Sequence, residues 1–592
     1  MDPKRFHVDE SKPWFTEQAG WPEEVEKNPE LDTKTLYEML EEAVERFGDA
    51  RAMWFQPLDA TMSYNEYKEA VDRLATGLYR KGIEKGDVVA VMLPNSFQYV
   101  VSYYACARLG AIVTGVNPTY KPGEILHQLK TTNAKALIVL DALYEEQVAP
   151  IFEKSPCQLL VATNVVDMVK GNGFKKFLGK LLGKIPTGAV PGSAIPLLDL
   201  LASPPEPPEV EVKPDDVATY IMTGGTTGVP KAAVLTHFNC VNNAKQALLW
   251  LYKVMAGGAN VGILPLFHSF AMTAVMNSTL RYGGWMMLFP RPPDQEILVQ
   301  KLIELAPEQG YIYCGAEILF KKFSDFMEKP ESKERYAKDL EGKLVLCISG
   351  AGPLHRPVQS AFESITGARL SEGYGLTEAS PVVSCQPFWG ERVIGTIGLP
   401  FPGTDWRIVD KDDHEKDLGR GEDAVGELAV AGPQVMKEYL NRPDETAETL
   451  VEMDGKTWLL TGDIGYMDEH GRVVIQDRKK QLIKYKGYSV FPKEVEELIG
   501  GHDAVSEVAV AGLPDKETGE IIKAWVVLRE ERKGSITEDE LREWCEENLT
   551  HYKVPRFVEF IDEVPKSPIG KVMRRELQEA DPLWKKAHGT KE

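Results

Sequence analysis

The chain has 592 residues, 43% of them hydrophobic and 27% charged, the composition of a folded globular protein large enough for more than one core. A net charge of −21 sets the molecule as a whole against a phosphate backbone, so nucleic acid is excluded as a partner and an anionic substrate would need a local basic pocket. The seven cysteines are scattered, odd in number and without a CxxC pair, and read as reduced thiols of a cytoplasmic protein.

The N-terminal stretch MDPKRFHVDESKPW is charged and lacks the apolar core of a signal peptide. Ser63 with Glu66 forms a capping box for a helix running towards Gly82, and the apolar run 88–93 predicts a buried strand after it. The least charged long stretch, 88–107, holds Pro94, Asn95, Ser96 and Gln98, so it predicts that strand followed by a helix and not a membrane span. Further buried strands are expected at 136–140, 261–264, 285–289 and 344–348. Strands alternating with helices imply a doubly wound, largely parallel sheet. From about 395 short strands and Gly/Asp/Pro turns, as at 426–430 and 472–475, suggest a β-rich subdomain. After about 480, strands at 507–511 and 523–528 and a helix capped by Thr537 and Glu540 suggest a compact α+β domain.

One segment departs from the acidic background. Across 174–185, Phe174, Phe177, Leu178, Leu181, Leu182 and Ile185 share a helical face, with Lys175, Lys176, Lys180 and Lys184 on the remainder. The plainer reading is a surface connector whose apolar stripe packs on its own domain; peripheral contact with a membrane is the alternative. Gly179 and Gly183 weaken the helix in either case.

Thr223, Gly224, Gly225, Thr226, Thr227 and Gly228, followed by Val229, Pro230 and Lys231, come directly after the apolar run 218–222. Glycines let backbone N–H groups converge on an anion, the threonines add hydroxyls and Lys231 adds charge. This is a polyphosphate loop by composition, but Val229 and Pro230 break the Walker A spacing. A second motif, Glu372 to Glu378, offers the Tyr374 ring between Gly373 and Gly375, a hydroxyl from Thr377 and a hard carboxylate oxygen from Glu378. Upstream stand Gly350, Ala351 and Gly352. A third holds Thr461, Gly462 and Asp463, then Asp477 and Arg478; near the end Gly570 precedes Lys571.

Taken in order, these motifs resemble the signatures of the adenylate-forming superfamily, which includes acyl-CoA synthetases, over nearly the whole chain. The resemblance implies that Gly350–Gly352 and Tyr374 hold adenine, Thr377 the α-phosphate, Thr226 and Glu378 a Mg²⁺ ion, and Asp463 and Arg478 the ribose. Lys571 matches the catalytic lysine, and Lys480 the hinge about which a C-terminal lid turns between two half-reactions. Lys484, Lys486 and Gly487 match the loop that meets coenzyme A. His268, Phe270, Ala271 and Met272 match the segment bordering the acyl pocket, with His268 near the carboxylate. There are three departures from the family pattern: Gly224 stands for a common serine, Ala232 for a common glycine, and Ala351–Gly352 invert the more frequent order.

The implied fold is α/β: a large N-terminal domain of doubly wound sheets over 1–479, with the β-rich subdomain from about 395, and a small mobile α+β domain over 480–592. The implied activity is AMP-forming ligation of a fatty acid to coenzyme A, with ATP and Mg²⁺. The text around 265–290, 395–400 and 552–577 most resembles prokaryotic long-chain fatty acid–CoA ligases. Aromatic, branched or medium-chain acids, a carrier-protein thiol, and a catalytically silent binding protein remain alternatives. A cytoplasmic location, peripheral at the inner face of the membrane if 174–185 binds it, is expected, and a homodimer is left open.

Overall fold

The computed structural model describes residues 6–171, 173–223, 230–485, 488–567 and 572–588. Over these the chain groups into two compact units, the first comprising the chain up to 223, 230–405 and 430–459, the second 406–429 and the chain from 460 onward. Among the described residues no helix is long and apolar enough to cross a membrane.

Among the described residues the first unit carries two large sheets. An eight-stranded one runs in the order Glu438–Tyr439, Lys231–Thr236, Val217–Thr223, Ile112–Gly115, Val88–Met92, Ala136–Leu140, Leu159–Thr163 and Ile195–Pro196. Val88–Met92 pairs in parallel with neighbours on both sides and is buried throughout, which is why its sequence is continuously apolar instead of alternating. The capping box of Ser63 and Glu66 is formed and starts helix Tyr64–Arg80. Ser96 caps helix Phe97–Leu109, so the least charged stretch is a strand and a helix, as expected.

The other sheet has nine strands in the order Leu399–Pro400, Val382–Cys385, Arg369–Gly375, Leu344–Ser349, Tyr311–Gly315, Ala259–Gly262, Trp285–Leu288, Arg51–Phe55 and Ala60–Ser63. Its centre is parallel and its ends are antiparallel. Trp54, Met287, Tyr313, Phe320 and Phe362 lie in the core packed on it. The strand expected at 261–264 lies at Ala259–Gly262 instead. Beyond Gly262 the buried Asn95 side chain donates to the Gly262 and Leu264 carbonyls and accepts from the Leu266 amide, so the backbone there is satisfied by a side chain and leaves the ladder.

In the second unit Asp463 to Met467 pair with Val473–Arg478 as a hairpin. A further sheet runs Tyr488–Val490, Ile483–Tyr485, Gly519–Leu528 and Val505–Asp515, with Phe557–Phe560 parallel to Gly519–Leu528. Thr537 and Glu540 form the expected box at helix Glu538–Asn548, whose Leu541 joins Ile483, Val495, Val510 and Ala524 in the core.

The lysine-rich segment forms helix Gly173–Leu181. Its stop is set by Gly183 at φ +67, whose amide donates to the Lys180 carbonyl while that of Lys184 donates to Gly179, a closure that a left-handed glycine makes cheap. Gly179 makes room for Ile185 to fold back, since a Cβ there would lie 2.7 Å from Ile185 Cδ1. The expectation that the apolar stripe packs on its own domain is not met, because Phe177, Leu181 and Leu182 are 65%, 69% and 59% exposed. The lysine face is the one that reaches the domain: Lys176 donates to the Val169 carbonyl and Lys180 lies 3.8 Å from Asp167.

Candidate active site

Ligands of open parallel sheets bind beyond the carboxyl ends of the strands. Leu344–Ser349 and Arg369–Gly375 run side by side with Ser349 opposite Glu372, so residues 350–352 and the end of the Tyr374 strand leave the sheet at one edge. Gly373 and Gly375 flank the half-buried Tyr374. Their absence of side chains has a packing reason: a Cβ on Gly375 would lie 2.2 Å from the Pro381 carbonyl oxygen, and one on Gly373 3.1 Å from Ile348 Cγ2. Ala351 stands at φ +67, whereas a Cβ on Gly352 would meet nothing within 4 Å. The inverted Ala-Gly order therefore places the larger residue in the left-handed conformation.

The segment after strand Ala259–Gly262 joins this edge. His268 caps helix Ser269–Ala271, its Nδ1 accepting from the Phe270 amide at 3.2 Å. The chain then passes through a π-helical turn, Met272–Asn277, before helix Ser278–Tyr282. Such turns recur at functional sites and have no periodicity by which a sequence would announce them. Phe270 lies against the Gly350 backbone, where an added Cβ would be 2.9 Å from its Cε1, and Ser269 Oγ is 3.1 Å from Thr377 Oγ1. The structure thus brings the expected acyl-side Phe270 to the expected adenine-side Gly350. Ala271 and Met272 are buried, and Tyr103 donates its hydroxyl to Met272 Sδ at 3.4 Å.

Glu378 lies in the short turn Thr377–Ala379 directly after this strand. Its Oε1 accepts from the Tyr439 hydroxyl at 2.6 Å, and its carbonyl accepts from the Met436 amide at 2.8 Å. Tyr439 is opposite Ala233 on the strand Lys231–Thr236, and Lys231 Nζ is 4.8 Å from the centre of the Tyr439 ring, close enough for a cation–π contact. Thr223 and Lys231 face each other across antiparallel strands, so the Gly/Thr loop joins strand to strand, unlike a Walker A loop that leads into a helix. Ala232 is buried in that strand. Gly224, Gly225, Thr226, Thr227 and Gly228 lie outside the described residues, as do Lys486, Gly487 and Lys571. The role of Tyr439 beside Glu378 was not legible in the sequence, because the two meet across 61 positions and Tyr439 carries no motif of its own.

In the second unit Asp463 and Arg478 are directly opposed across the hairpin, and Arg478 Nε lies 2.8 Å from Asp463 Oδ1. Asp463 is buried, which strengthens this charge-assisted pair. A buried Glu427, also missed by the sequence reading, accepts from the Gly462 amide at 2.9 Å and from Lys479 Nζ at 2.8 Å. It ties the Gly462 backbone to the Lys479 side chain, the two neighbours of the pair. Asp477 accepts from the amides of Arg478 and Lys493, and burial, opposed by those amides, raises its carboxyl above the usual range. Lys480 follows in the short turn Lys479–Gln481. Arg574, three positions after Lys571, donates to both oxygens of Glu496 and to Gln481 Oε1. Lys484 is exposed on Ile483–Tyr485, its amide donating to Glu520 Oε2 at 2.6 Å.

A family model described as AMP-binding enzyme matches residues 40–440, and one described as AMP-binding enzyme C-terminal domain matches residues 494–571. The chain belongs to the AMP-binding enzyme family. This AMP-binding enzyme is 36% identical over 587 residues to a long-chain-fatty-acid–CoA ligase of Bacillus subtilis, covering 96% of the chain and 98% of that protein. Among solved structures it resembles ATP-bound MatB from Rhodopseudomonas palustris, with a TM-score of 0.76 and 25% identity over 92% of the chain and 99% of MatB. It also resembles a long-chain-fatty-acid–CoA ligase from Archaeoglobus fulgidus, with a TM-score of 0.65 and 26% identity over 91% of the chain and 99% of that protein. The α/β fold and the resemblance to adenylate-forming enzymes are borne out.

Proposed function

We propose that this enzyme is an AMP-forming fatty acid–CoA ligase. The observation that carries the reading is its end-to-end likeness to the Bacillus subtilis ligase, covering 96% of the chain and 98% of that protein. A carboxylate is a poor electrophile because its leaving group would be oxide. In the first half-reaction the acid's oxygen attacks the α-phosphorus of ATP and pyrophosphate leaves. In the second the sulfur of coenzyme A attacks the acyl carbon, the thiol proton is lost, and AMP leaves.

In this scheme Tyr374 and the Gly350 edge receive adenine, Asp463 accepts from the ribose hydroxyls while Arg478 orients it, and Thr377 meets the α-phosphate. His268 and Phe270 border the acid. Lys571, which matches the catalytic lysine by resemblance, would bridge the two anions as they meet. Among the described residues no group of three or more His, Cys, Asp or Glu side chains is placed to hold a metal by itself. Glu378, anchored by Tyr439, therefore fits Mg²⁺ bound mainly by phosphate oxygens, with Thr226 as its proposed second protein contact. The ion would supply charge neutralisation to the phosphates. We also propose 480–592 as a mobile lid hinged at Lys480, with Lys484, Lys486 and Gly487 serving coenzyme A.

A panel of acids of increasing chain length, read together for pyrophosphate, AMP and CoA ester, tests the reading. Acid-dependent pyrophosphate release that collapses in Lys571→Ala, with folding intact, is expected. Ester formed with a carrier protein but not with coenzyme A would overturn the CoA assignment, and no release with any acid would leave a binding protein.

A further inference from the structure

Phe177, Leu181 and Leu182 are three of the four most exposed large hydrophobic residues among the described residues, and they lie within six positions of one another on and just past helix Gly173–Leu181. Exposed apolar side chains scattered singly need no explanation, but a contiguous group on one helical face does. Leu178, also exposed, belongs to the same stripe.

The charge around the stripe says what covers it. Residues 168–198 contain five lysines and no aspartate or glutamate, in a chain whose net charge is −21. Lys170 and Lys184 are exposed, the former with its ammonium 2.6 Å from Glu66, and the Lys180 side chain keeps 37% of its surface. Lys176 and Lys180 reach inward to the Val169 carbonyl and to Asp167, which turns the apolar stripe away from the domain. An apolar wedge flanked by the exposed Lys170 and Lys184 complements the interface of an anionic bilayer, where the apolar side chains enter the acyl boundary and these lysines stay at the headgroups. A second copy meeting the same face would set lysines against lysines.

We propose that helix Gly173–Leu181 and the residues that close it form a docking surface for an anionic lipid bilayer. Gly183 and the fold-back of Ile185 give this element a defined helical end. Binding of this kind is peripheral, with an apolar and an electrostatic part, and the electrostatic part weakens with salt.

The test is flotation of the full chain with vesicles of 70:30 phosphatidylcholine to phosphatidylglycerol, without nucleotide or acid, so that its outcome is independent of catalysis. The wild type is expected to float with these vesicles, much less with phosphatidylcholine alone, and less as salt is raised. The triple variant Phe177→Ser, Leu181→Ser, Leu182→Ser is expected to keep its Tm and lose about tenfold or more in partitioning. Equal flotation of wild type and variant, or equal binding to the neutral vesicles, overturns the proposal. So does a wild-type dimer in light scattering that the variant abolishes while neither floats, since the stripe would then be covered by a second copy.

Discussion

In the first unit Glu378 is steadied by Tyr439, a residue 61 positions away, through one hydrogen bond of 2.6 Å on a half-buried carboxylate. In the second unit Asp463 and Arg478 are neighbours across a single hairpin, and the carboxylate is buried. The former depends on two sheet edges being brought together, the latter on strand register alone. The contrast teaches that a site residue whose partner is local is legible from its motif, whereas one held by a distant partner is legible only in half. The units differ also in their buried ionisable groups. Burial pushes His237 down to about 4 in the first, and raises Asp477 above the usual carboxyl range in the second.

The largest effect is expected at the local pair. Asp463→Asn should lower kcat/KM for ATP by about a thousandfold, because it removes a buried carboxylate and its ion pair with Arg478. Steady-state kinetics beside a thermal melt would check it, and a loss under tenfold would break the assignment.

The pH contrast comes next. Above pH ~6.5 His237 is neutral whether the chain is folded or not; below it the unfolded histidine takes a proton that the buried one refuses until about pH 4. Stability of the first unit should therefore fall as pH drops through that window, by up to about 3 kcal/mol from this group. Asp477 has the opposite sign: with its folded value raised, its contribution is lost as pH rises through that value and grows on acidification. Hydrogen exchange followed from pH 7 to pH 4 should show protection lost sooner in helix His237–Trp250 than in helix Pro492–Gly500. Equal losses in both helices would remove the contrast.

At the distant pair, Tyr439→Phe should raise the Mg²⁺ concentration for half-maximal activity by about tenfold, the worth of one hydrogen bond that orients the carboxylate proposed to meet the metal. Mn²⁺–ATP affinity measured by water proton relaxation should weaken in parallel, and unchanged affinity would reduce Tyr439 to a packing residue. The smallest effect is expected from Ala351→Gly. Relief of the left-handed alanine, offset by the greater freedom of glycine when unfolded, should add about 0.5 kcal/mol in urea unfolding. A loss of stability would show that the conformation costs nothing there.

The sequence by itself determined the capped helices at Ser63 and Thr537, the buried strands at 88–92 and 136–140, and the family motifs, because each depends on neighbours a few positions apart. Asp463 and Arg478 belong with these, since hairpin register makes them partners. Tertiary structure alone decided that Asn95 ends the strand at Gly262, that Phe270 lies on Gly350, and that Tyr439 reaches Glu378. It also decided which face of the lysine-rich helix turns outward. An amphipathic pattern states that two faces differ, but which one meets the domain depended on where Val169 and Asp167 offered partners to Lys176 and Lys180. Those partners come from the segment just before the helix, and their orientation is set by packing that no local pattern encodes.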